Sequence, residues 1–356
     1  MKNLRDLTYE DLVEEVKALG EKPYRAHQLF AWVYKRRAPA IDSMTDISKD
    51  LRERLKDAFY IGGVNVLDVM RSADGTRKML SSLEDGSRIE TVLIPEGERL
   101  TLCVSSQAGC PLGCRFCMTG QTGFIRNLKL SELIAQVIAA EGEIQKGEKI
   151  TNIVLMGMGE PLLNYENVLK FLKILVDSRG FGFSHNKITV STSGIVPAIE
   201  KLGKDIDVNL AVSLNASTDE IRARLMPVAR KYTLKDLLAA LKSYPLPGKK
   251  YITFEYVLIK DVNDSIDDAR RLARLLRGIK CKINLIPFNP FPGSIFDRPS
   301  DDAINAFWEV LKGSHYKVFV RESKGRDIQA ACGQLSGLYN GGAPAEGVLP
   351  LAPEAG

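Results

Sequence analysis

The chain has 356 residues, of which 45% are hydrophobic, and it carries a formal net charge of +5. This length and apolar share suffice for one large domain and a smaller second one, which excludes a fibrous or wholly disordered protein. No apolar stretch approaches the roughly 18 residues of a membrane helix, and the N-terminus leads into no signal-peptide core. We therefore expect a cytoplasmic protein without membrane contact, in which clustered cysteines bind metal or act in catalysis.

Residues 1–75 are predicted to form a small helical accessory domain. Apolar residues recur at helical spacing after Thr8, from Arg25 to Lys35, and again after Ser48. Thr8 and Ser48 are suitable N-caps for the first and third of these helices. The basic run that follows Trp32 would suit RNA, although such residues more often form a solvated helix end above a core aromatic.

A β-hairpin is predicted to follow the helical domain. Two strand-like runs between Thr76 and Ile94 flank Asp85-Gly86, a dipeptide typical of two-residue hairpin turns. The second run places Glu90 on a strand, shortly before the first cysteine of the chain.

Four of the six cysteines lie close together, and three of them form a Cys-x3-Cys-x2-Cys motif at Cys110, Cys114 and Cys117. Three thiolates are one short of a closed zinc site or of a ferredoxin-type cluster, so one metal position would stay open. An open iron can bind S-adenosylmethionine (SAM), whose reductive cleavage gives a 5'-deoxyadenosyl radical. The spacing resembles the signature of the radical SAM superfamily and predicts a 4Fe–4S cluster on these three thiolates. A structural zinc site completed by a distant ligand is the alternative.

Strand-like and helix-like patterns alternate after the hairpin. Six strands are predicted, at residues 101–105, 150–156, 187–191, 208–214, 251–258 and 282–287. Such units predict an α/β fold with a parallel sheet, open or curled into a partial barrel, whose functional residues collect at the carboxyl ends of the strands. Residues 76–340 are assigned to this core domain, and residues 341–356, rich in Gly, Ala and Pro, to a disordered tail.

Glycine or polar residues follow several of the predicted strands. Gly159 and Glu160 follow the second strand, Ser191 ends the third, and Asn289 follows the sixth. Ser213, Leu214 and Asn215 stand at the end of the fourth strand. Polar groups at neighbouring strand ends would suit the amine, carboxylate and ribose of SAM. Taken singly, each residue is as readily a turn or helix-cap residue.

Three cysteines lie outside the cluster motif. Cys103 lies on the first predicted strand, and Cys332 lies far downstream. Cys281 stands at the start of the sixth strand, at the opposite end of the sheet, and is interpreted as a structural thiol. From residue type alone, Cys103 and Cys332 would more often be buried and inert than reactive.

The motifs together resemble the RlmN/Cfr family of radical SAM RNA methyltransferases. The likeness is carried by residues 103–110, the cysteine loop, and residues 156–163, 285–293 and 330–335. It implies a (β/α)6 partial TIM barrel, one 4Fe–4S cluster and two SAM molecules per turnover. Asn215 departs from the histidine that many members carry. The SAM contacts that the resemblance implies are Gly159, Glu160, Ser191, Ser213, Leu214, Asn215 and Asn289.

The resemblance also implies that the methyl group passes through Cys332. One SAM methylates its thiolate, and the radical from a second SAM takes hydrogen from the S-methyl group. The resulting carbon radical adds to C2 of an adenine, and Glu90 is the implied base for the ring proton. Cys103 then attacks the Cys332 sulfur, which releases methyladenine and leaves a disulfide. The candidates for a positive field that favours the Cys332 thiolate are Arg321, Lys324 and Arg326.

The substrates implied by the resemblance are adenine 2503 of 23S rRNA and adenine 37 of tRNAs. The other implied partner is an electron donor of flavodoxin or ferredoxin type, and the implied state is a monomer. Residues 101–130 contain no Asp or Glu but include Arg115, Arg126 and Lys129, which predicts a basic cavity mouth for phosphates. The alternatives are methylation at C8, a radical SAM enzyme with a non-RNA substrate, and a non-catalytic zinc-bound RNA-binding protein.

Overall fold

A small helical segment opens the computed structural model, which describes residues 1–337. Thr8 and Ser48 cap the first and third helices as predicted, each accepting a hydrogen bond from the backbone N–H three residues on. Two short parallel strands, β1 (Lys2–Asn3) and β2 (Phe59–Tyr60), join the ends of the segment. Its helices are α1 (Tyr9–Ala18), α2 (Tyr24–Phe30) and α3 (Lys49–Ala58).

A ten-stranded sheet forms the main part of the described chain, in the order β14-β13-β12-β11-β10-β9-β6-β5-β4-β3. Strands β6 and β9 to β14 run parallel, whereas β3 to β6 pair in antiparallel fashion. A separate pair, β7 with β8, flanks the cysteine loop. The strands are β3 (Asn65–Arg71), β4 (Arg77–Ser82), β5 (Arg88–Glu96), β6 (Arg99–Cys103), β7 (Gln107–Gly109), β8 (Phe124–Asn127), β9 (Ile150–Leu155), β10 (Ile188–Thr192), β11 (Asn209–Ser213), β12 (Ile252–Leu258), β13 (Cys281–Pro287) and β14 (Lys317–Val320).

Every connection between neighbouring parallel strands contains at least one helix. Such crossovers bury one apolar face of each helix on the sheet, and Leu133, Ile134 and Val137 of the first crossover helix are fully buried. The helices are α4 (Met118–Gln121), α5 (Leu130–Gly142), α6 (Tyr165–Val176), α7 (Val196–Asp205), α8 (Asp219–Leu225), α9 (Leu234–Lys242), α10 (Ile266–Leu275) and α11 (Asp301–Gly313).

The predicted fold class is confirmed. All six predicted strands are present, as β6 and β9 to β13, and the hairpin around Asp85-Gly86 is formed by β4 and β5. The sequence patterns did not reveal β3 or β14, which are the two edges of the sheet. Most of their side chains are exposed or half-buried, so neither strand shows the apolar pattern that burial imposes.

The predicted limit between the two domains, after residue 75, falls in the turn between β3 and β4. Strand β3 therefore pairs with the sheet of the second predicted domain, and the division into domains stays a prediction. The predicted disordered tail, residues 341–356, lies outside the described residues. Within residues 1–337, no helix has both the length and the apolar character needed to cross a lipid bilayer.

Candidate active site

A cavity of about 300 Å³ collects most of the predicted site residues. It begins among the inward-facing side chains of the sheet and reaches the carboxyl ends of the parallel strands, where Cys103 and Ser213 stand. Leu214 and Glu90 are not among the residues that line it; Leu214 is buried, with its N–H bonded to the Glu255 carbonyl at 2.9 Å. The predicted residues that line the cavity are Cys103, Cys110, Cys114, Cys117, Gly159, Glu160, Ser191, Ser213, Asn215, Asn289 and Cys332.

The cysteine loop between β7 and α4 has its shape set by backbone contacts. The N–H of Cys110 donates to Gly123 O at 2.8 Å, and that of Arg115 donates to Leu225 O at 3.0 Å. Gly109 has φ +71, and a Cβ there would lie 1.9 Å from Gly123 O, so only glycine fits. The loop is therefore held from both sides, with its three thiols on the cavity.

Burial raises the pKa of each cluster-motif thiol, to about 12 for Cys110. The charge of Cys117 raises the pKa of both Cys110 and Cys114 further, so the three thiols interact electrostatically. Three thiolates this close to one another require a cationic partner, and metal ions deprotonate the thiols they bind. The donor chemistry of the loop therefore fits a metal cluster.

Among the described residues, no three His, Cys, Asp or Glu side chains are arranged around one metal-ion position. An iron-sulfur cluster does not need such an arrangement, because each cysteine binds a different iron atom. Three thiols and several polar strand ends line the same cavity, which fits a cluster that leaves one iron for a small-molecule ligand.

The Gly-x-Gly-Glu segment after β9 packs tightly against the chain that follows β6. A Cβ at Gly157 would lie 2.7 Å from Val104 O, and one at Gly159, with φ +98, would lie 2.5 Å from the Cβ of Gln107. The buried carboxylate of Glu160 accepts N–H bonds from Leu162 at 3.1 Å and Ser193 at 2.7 Å. Burial raises the pKa of Glu160, which lies at the edge of the cavity, and these two bonds oppose the rise without reversing it.

Two asparagine side chains complete the strand ends. Asn215 has φ +57, a left-handed conformation that asparagine tolerates, and its Oδ1 accepts the N–H of Val257 at 2.8 Å. The Nδ2 group of Asn289 donates to the carbonyl of Cys332 at 3.2 Å. Asn289 therefore joins the end of β13 to the segment that carries the distant cysteine.

Cys332 lies beside the cluster loop, although 215 positions separate it from Cys117. The N–H of Met118 donates to Gly333 O at 2.7 Å, which fixes the backbone next to Cys332. Cys103 is buried, and burial followed by the charge of Cys332 raises its pKa to about 12. The two thiols are thus neighbours on the wall of one cavity.

Charges of both signs act on Cys332, including one from Arg321, a predicted source of positive field. Although the side chain is exposed to the cavity, desolvation by the surrounding protein raises its pKa, and the charge of Glu255 raises it further. Arg321 opposes this rise but does not reverse it. Lys324 also lines the cavity, whereas Arg326 is exposed and does not. Cys332 therefore needs a base, or a bound cation, before its thiolate can act.

Glu90 lies behind the cavity wall, at 1% exposure. Its Oε1 atom is 2.8 Å from Nζ of Lys78, which is also buried. Its Oε2 atom accepts the N–H groups of Ser336 at 2.7 Å and Gly337 at 3.0 Å. Removing one partner from such a buried ion pair costs about 3–5 kcal/mol, because the other charge is left unpaired.

Two charged residues near the site were missed by sequence reasoning. Arg222 is fully buried, and its guanidinium donates to Ser193 O at 2.7 Å and to Leu214 O at 3.1 Å, which ties two strand ends together. Helix α8 offers no signal for this role. Glu255 lines the cavity, and burial raises its pKa. A glutamate inside an apolar parallel strand was a detectable signal, since buried charges are rare without a function.

The sheet, the three-cysteine loop and the cavity define the chain as a radical SAM protein. Residues 104–275 match the Radical SAM superfamily, and residues 2–61 match the family described as ribosomal RNA large subunit methyltransferase N-terminal domain. Two relatives named dual-specificity RNA methyltransferase RlmN, from Syntrophus aciditrophicus and Geotalea uraniireducens, are 50% and 49% identical over 94% of this chain and 96% of their own length. The chain belongs to the RlmN family of radical SAM RNA methyltransferases.

A solved structure agrees with this assignment. The crystal structure of a radical SAM methyltransferase from Sphaerobacter thermophilus is similar to this chain with a TM-score of 0.90 and 44% identity, covering 95% of this chain and 100% of that one. The cofactors are those of the superfamily, a 4Fe–4S cluster and SAM. The match covers the helical segment, the sheet and most of the described chain.

Replacing Cys110, Cys114 and Cys117 together with alanine is expected to remove bound iron. Anaerobically reconstituted wild-type protein should be brown and carry about four irons per chain, and the triple variant should be colourless with iron near background. The matched control is Cys281→Ala, whose thiol is buried at the start of β13 and does not line the cavity. Iron retained by the triple variant, or stoichiometric zinc in the wild type, would contradict the assignment of these ligands.

Proposed function

We propose that the protein methylates C2 of adenine 2503 in 23S rRNA and C2 of adenine 37 in tRNAs, with Cys332 as the carrier of the methyl group. The observation that supports this most directly is the meeting of Cys332, Cys103 and the three cluster-motif cysteines in one cavity. The relatives named as dual-specificity RNA methyltransferases support RNA as the substrate. The proposal includes a monomeric enzyme and an electron donor of flavodoxin or ferredoxin type.

Cys110, Cys114 and Cys117 would hold the cluster, and the strand ends across the cavity would hold SAM. The bound cluster supplies the electron that cleaves SAM to the 5'-deoxyadenosyl radical. The Glu160 carboxylate suits the ammonium group of SAM, since ionised hydrogen-bond partners bind strongly. The amide of Asn215 and the hydroxyls of Ser191 and Ser213 suit polar groups of the same ligand.

Cys332 would first accept a methyl group from one SAM by displacement, with its proton lost and S-adenosylhomocysteine released. Hydrogen abstraction from the S-methyl group then allows its carbon to bond to C2 of the adenine. Loss of the C2 proton to a base, and of one electron that the oxidised cluster would take back, would leave a methylene bridge between the adenine and Cys332. The Cys103 thiolate attacks the Cys332 sulfur, the carbon–sulfur bond breaks, the methylene carbon takes a proton, and a disulfide forms. An external reductant must then restore both thiols.

The predicted base role of Glu90 remains a prediction. A general base must lie within hydrogen-bond reach of the proton it takes. Glu90 is not among the residues that line the cavity, and its carboxylate holds Lys78 and two backbone N–H groups. It would have to leave these partners to reach an adenine in the cavity.

RNA would approach the mouth of the cavity, where the target base must leave its stack to reach Cys332. Of the basic residues predicted there, Arg126 forms ion pairs with Asp85 and Glu132, which reduces its use for phosphates. Arg115 and Arg321 are exposed, and Arg321 also lines the cavity. These two are the better-placed candidates for phosphate contacts.

The identity of the product tests this function. Anaerobic reaction of the reconstituted enzyme with SAM, a reductant and unmodified 23S rRNA or tRNA, followed by nucleoside mass spectrometry, is expected to yield 2-methyladenosine from both RNAs. 8-Methyladenosine would contradict the assignment to C2. Modified rRNA together with unmodified tRNA would remove tRNA from the proposal. An RNA fragment with guanosine at the target position is the matched control and should stay unlabelled.

A further inference from the structure

The buried pair of Lys78 and Glu90 contacts both ends of residues 329–337, which we call the Cys332 segment. Nζ of Lys78 donates to the carbonyl of Gln329 at 3.3 Å, three positions before Cys332. Oε2 of Glu90 accepts the N–H groups of Ser336 and Gly337, four and five positions after Cys332.

The two side chains lie on adjacent strands of the main sheet. Lys78 lies on β4 and Glu90 on β5, which pair in antiparallel fashion, and the two side chains are 3% and 1% exposed. The backbone carbonyl of Glu90 accepts a hydrogen bond from the hydroxyl of Ser105 at 2.6 Å. The pair therefore connects the segment to β5 and to the chain that follows β6.

The turn around Cys332 is also held by contacts on its cavity side. Asn289 donates to the Cys332 carbonyl at 3.2 Å, and Met118 donates to the Gly333 carbonyl at 2.7 Å. These two contacts, from the end of β13 and from the cluster loop, orient the turn that carries the thiol. Lys78 and Glu90 hold the two ends from the other side, so the position of the thiol depends on both groups of contacts.

A carboxylate placed for proton transfer would face the cavity instead. Among the described residues, Glu255 is a carboxylate that lines the cavity, and its charge acts on Cys332. Glu90 does not line the cavity, and its two oxygens bind groups that belong to Lys78 and to the Cys332 segment.

We propose that the Lys78–Glu90 pair fastens the Cys332 segment against the sheet, and that Glu90 is a positioning residue for Cys332 rather than the proton acceptor for adenine. This inference rests on the proposed role of Cys332 as methyl carrier. A positioning role affects the methylation of Cys332 before RNA binds, because SAM reacts with a thiol that is already held in place. A base for the adenine proton acts only after the RNA adduct has formed.

The test compares three variants of the reconstituted enzyme. K78M/E90L removes both partners and leaves no unpaired buried charge, so the fold should melt close to the wild-type temperature. E90Q keeps one acceptor oxygen for the segment but lacks a carboxylate. The matched control is E148Q, which removes a carboxylate from Arg77, the neighbour of Lys78 on β4, and leaves Lys78 and Glu90 unchanged.

Three measurements separate the roles. Hydrogen exchange reports the amides of Ser336 and Gly337, and mass spectrometry reports the rate of Cys332 methylation by SAM without RNA. Gel electrophoresis after addition of RNA reports any covalent protein–RNA adduct. In K78M/E90L we expect at least tenfold faster exchange, at least tenfold slower methylation, and no accumulation of a protein–RNA adduct. E90Q should fall between this variant and the wild type, and E148Q should match the wild type.

Wild-type exchange and methylation in K78M/E90L, or in E90Q if the double variant does not fold, would overturn the proposal. Accumulation of adduct with Cys332 fully methylated would overturn it too and would assign the base role to Glu90. Absence of a methyl group on Cys332 in the wild type would instead overturn the proposed function, and the exchange of Ser336 and Gly337 would still decide whether the pair fastens the segment.

Discussion

Replacing Cys332 with alanine is expected to abolish methyl transfer to RNA and, at the same time, the methyl label on the protein. Alanine has no nucleophile for the methyl group of SAM, and removal of a covalent nucleophile lowers rates by at least about 10³-fold. The side chain is exposed to the cavity, so the change should not create a core void or alter folding. Labelled SAM, with separate counting of RNA and protein fractions, measures both effects.

Cys281→Ala is the control for this experiment. Its thiol is buried and does not line the cavity, so RNA methylation should stay within about twofold of the wild type once stability losses are corrected. Normal RNA methylation by Cys332→Ala would remove Cys332 from the mechanism, whatever the behaviour of the control.

Replacing Cys103 with alanine should leave the methyl label on the protein, in contrast to the replacement of Cys332. Cys332 should still be methylated and should still bond to the adenine, but no neighbouring thiol would then release the base. A covalent protein–RNA species is expected to accumulate to about one per enzyme, visible as a shifted band that nuclease digestion reduces to a modified protein. Repeated release of methylated RNA by this variant would exclude the proposed resolving step.

The raised pKa of Cys103 predicts how the turnover rate of the wild-type enzyme depends on pH. Burial raises this pKa to about 12, so the protonated thiol dominates at neutral pH and only the thiolate attacks sulfur. Where release of the product limits turnover, the rate should rise by about tenfold per pH unit between pH 7 and 9. A rate that falls over this range would indicate that another group controls release.

The fold was predictable because buried parallel strands carry a strong local signal. Strands β9 to β13 carry buried apolar residues between helical patterns, and the cysteine loop follows β6, the parallel neighbour of β9, so the edge of the sheet that bears the site follows from topology. The sequence also indicated that the glycines after β9 would allow a close approach. The structure shows that the close contact of Gly159 is with Gln107.

The pairing of distant residues was not predictable from local patterns. Nothing near Cys332 in the sequence indicates that it lies beside Cys103, and only the family resemblance brought the two together. The contacts of Lys78 with Glu90, and of Arg222 with the strand ends, depend on how the chain folds back on itself. The resemblance supplied a role for Glu90 but no location, and the location argues for a different role.

The contacts that hold Cys332 in place have a consequence for biosynthesis. Glu90 and Ser336 are 246 positions apart, and Asp74 accepts the N–H of Gly325 from 251 positions later. At about 5–20 residues per second, a ribosome needs roughly 12–50 s to cover such a separation. The cysteine loop is thus translated long before Cys332, so a growing polypeptide would lack the methyl carrier of the proposed mechanism until synthesis is nearly finished.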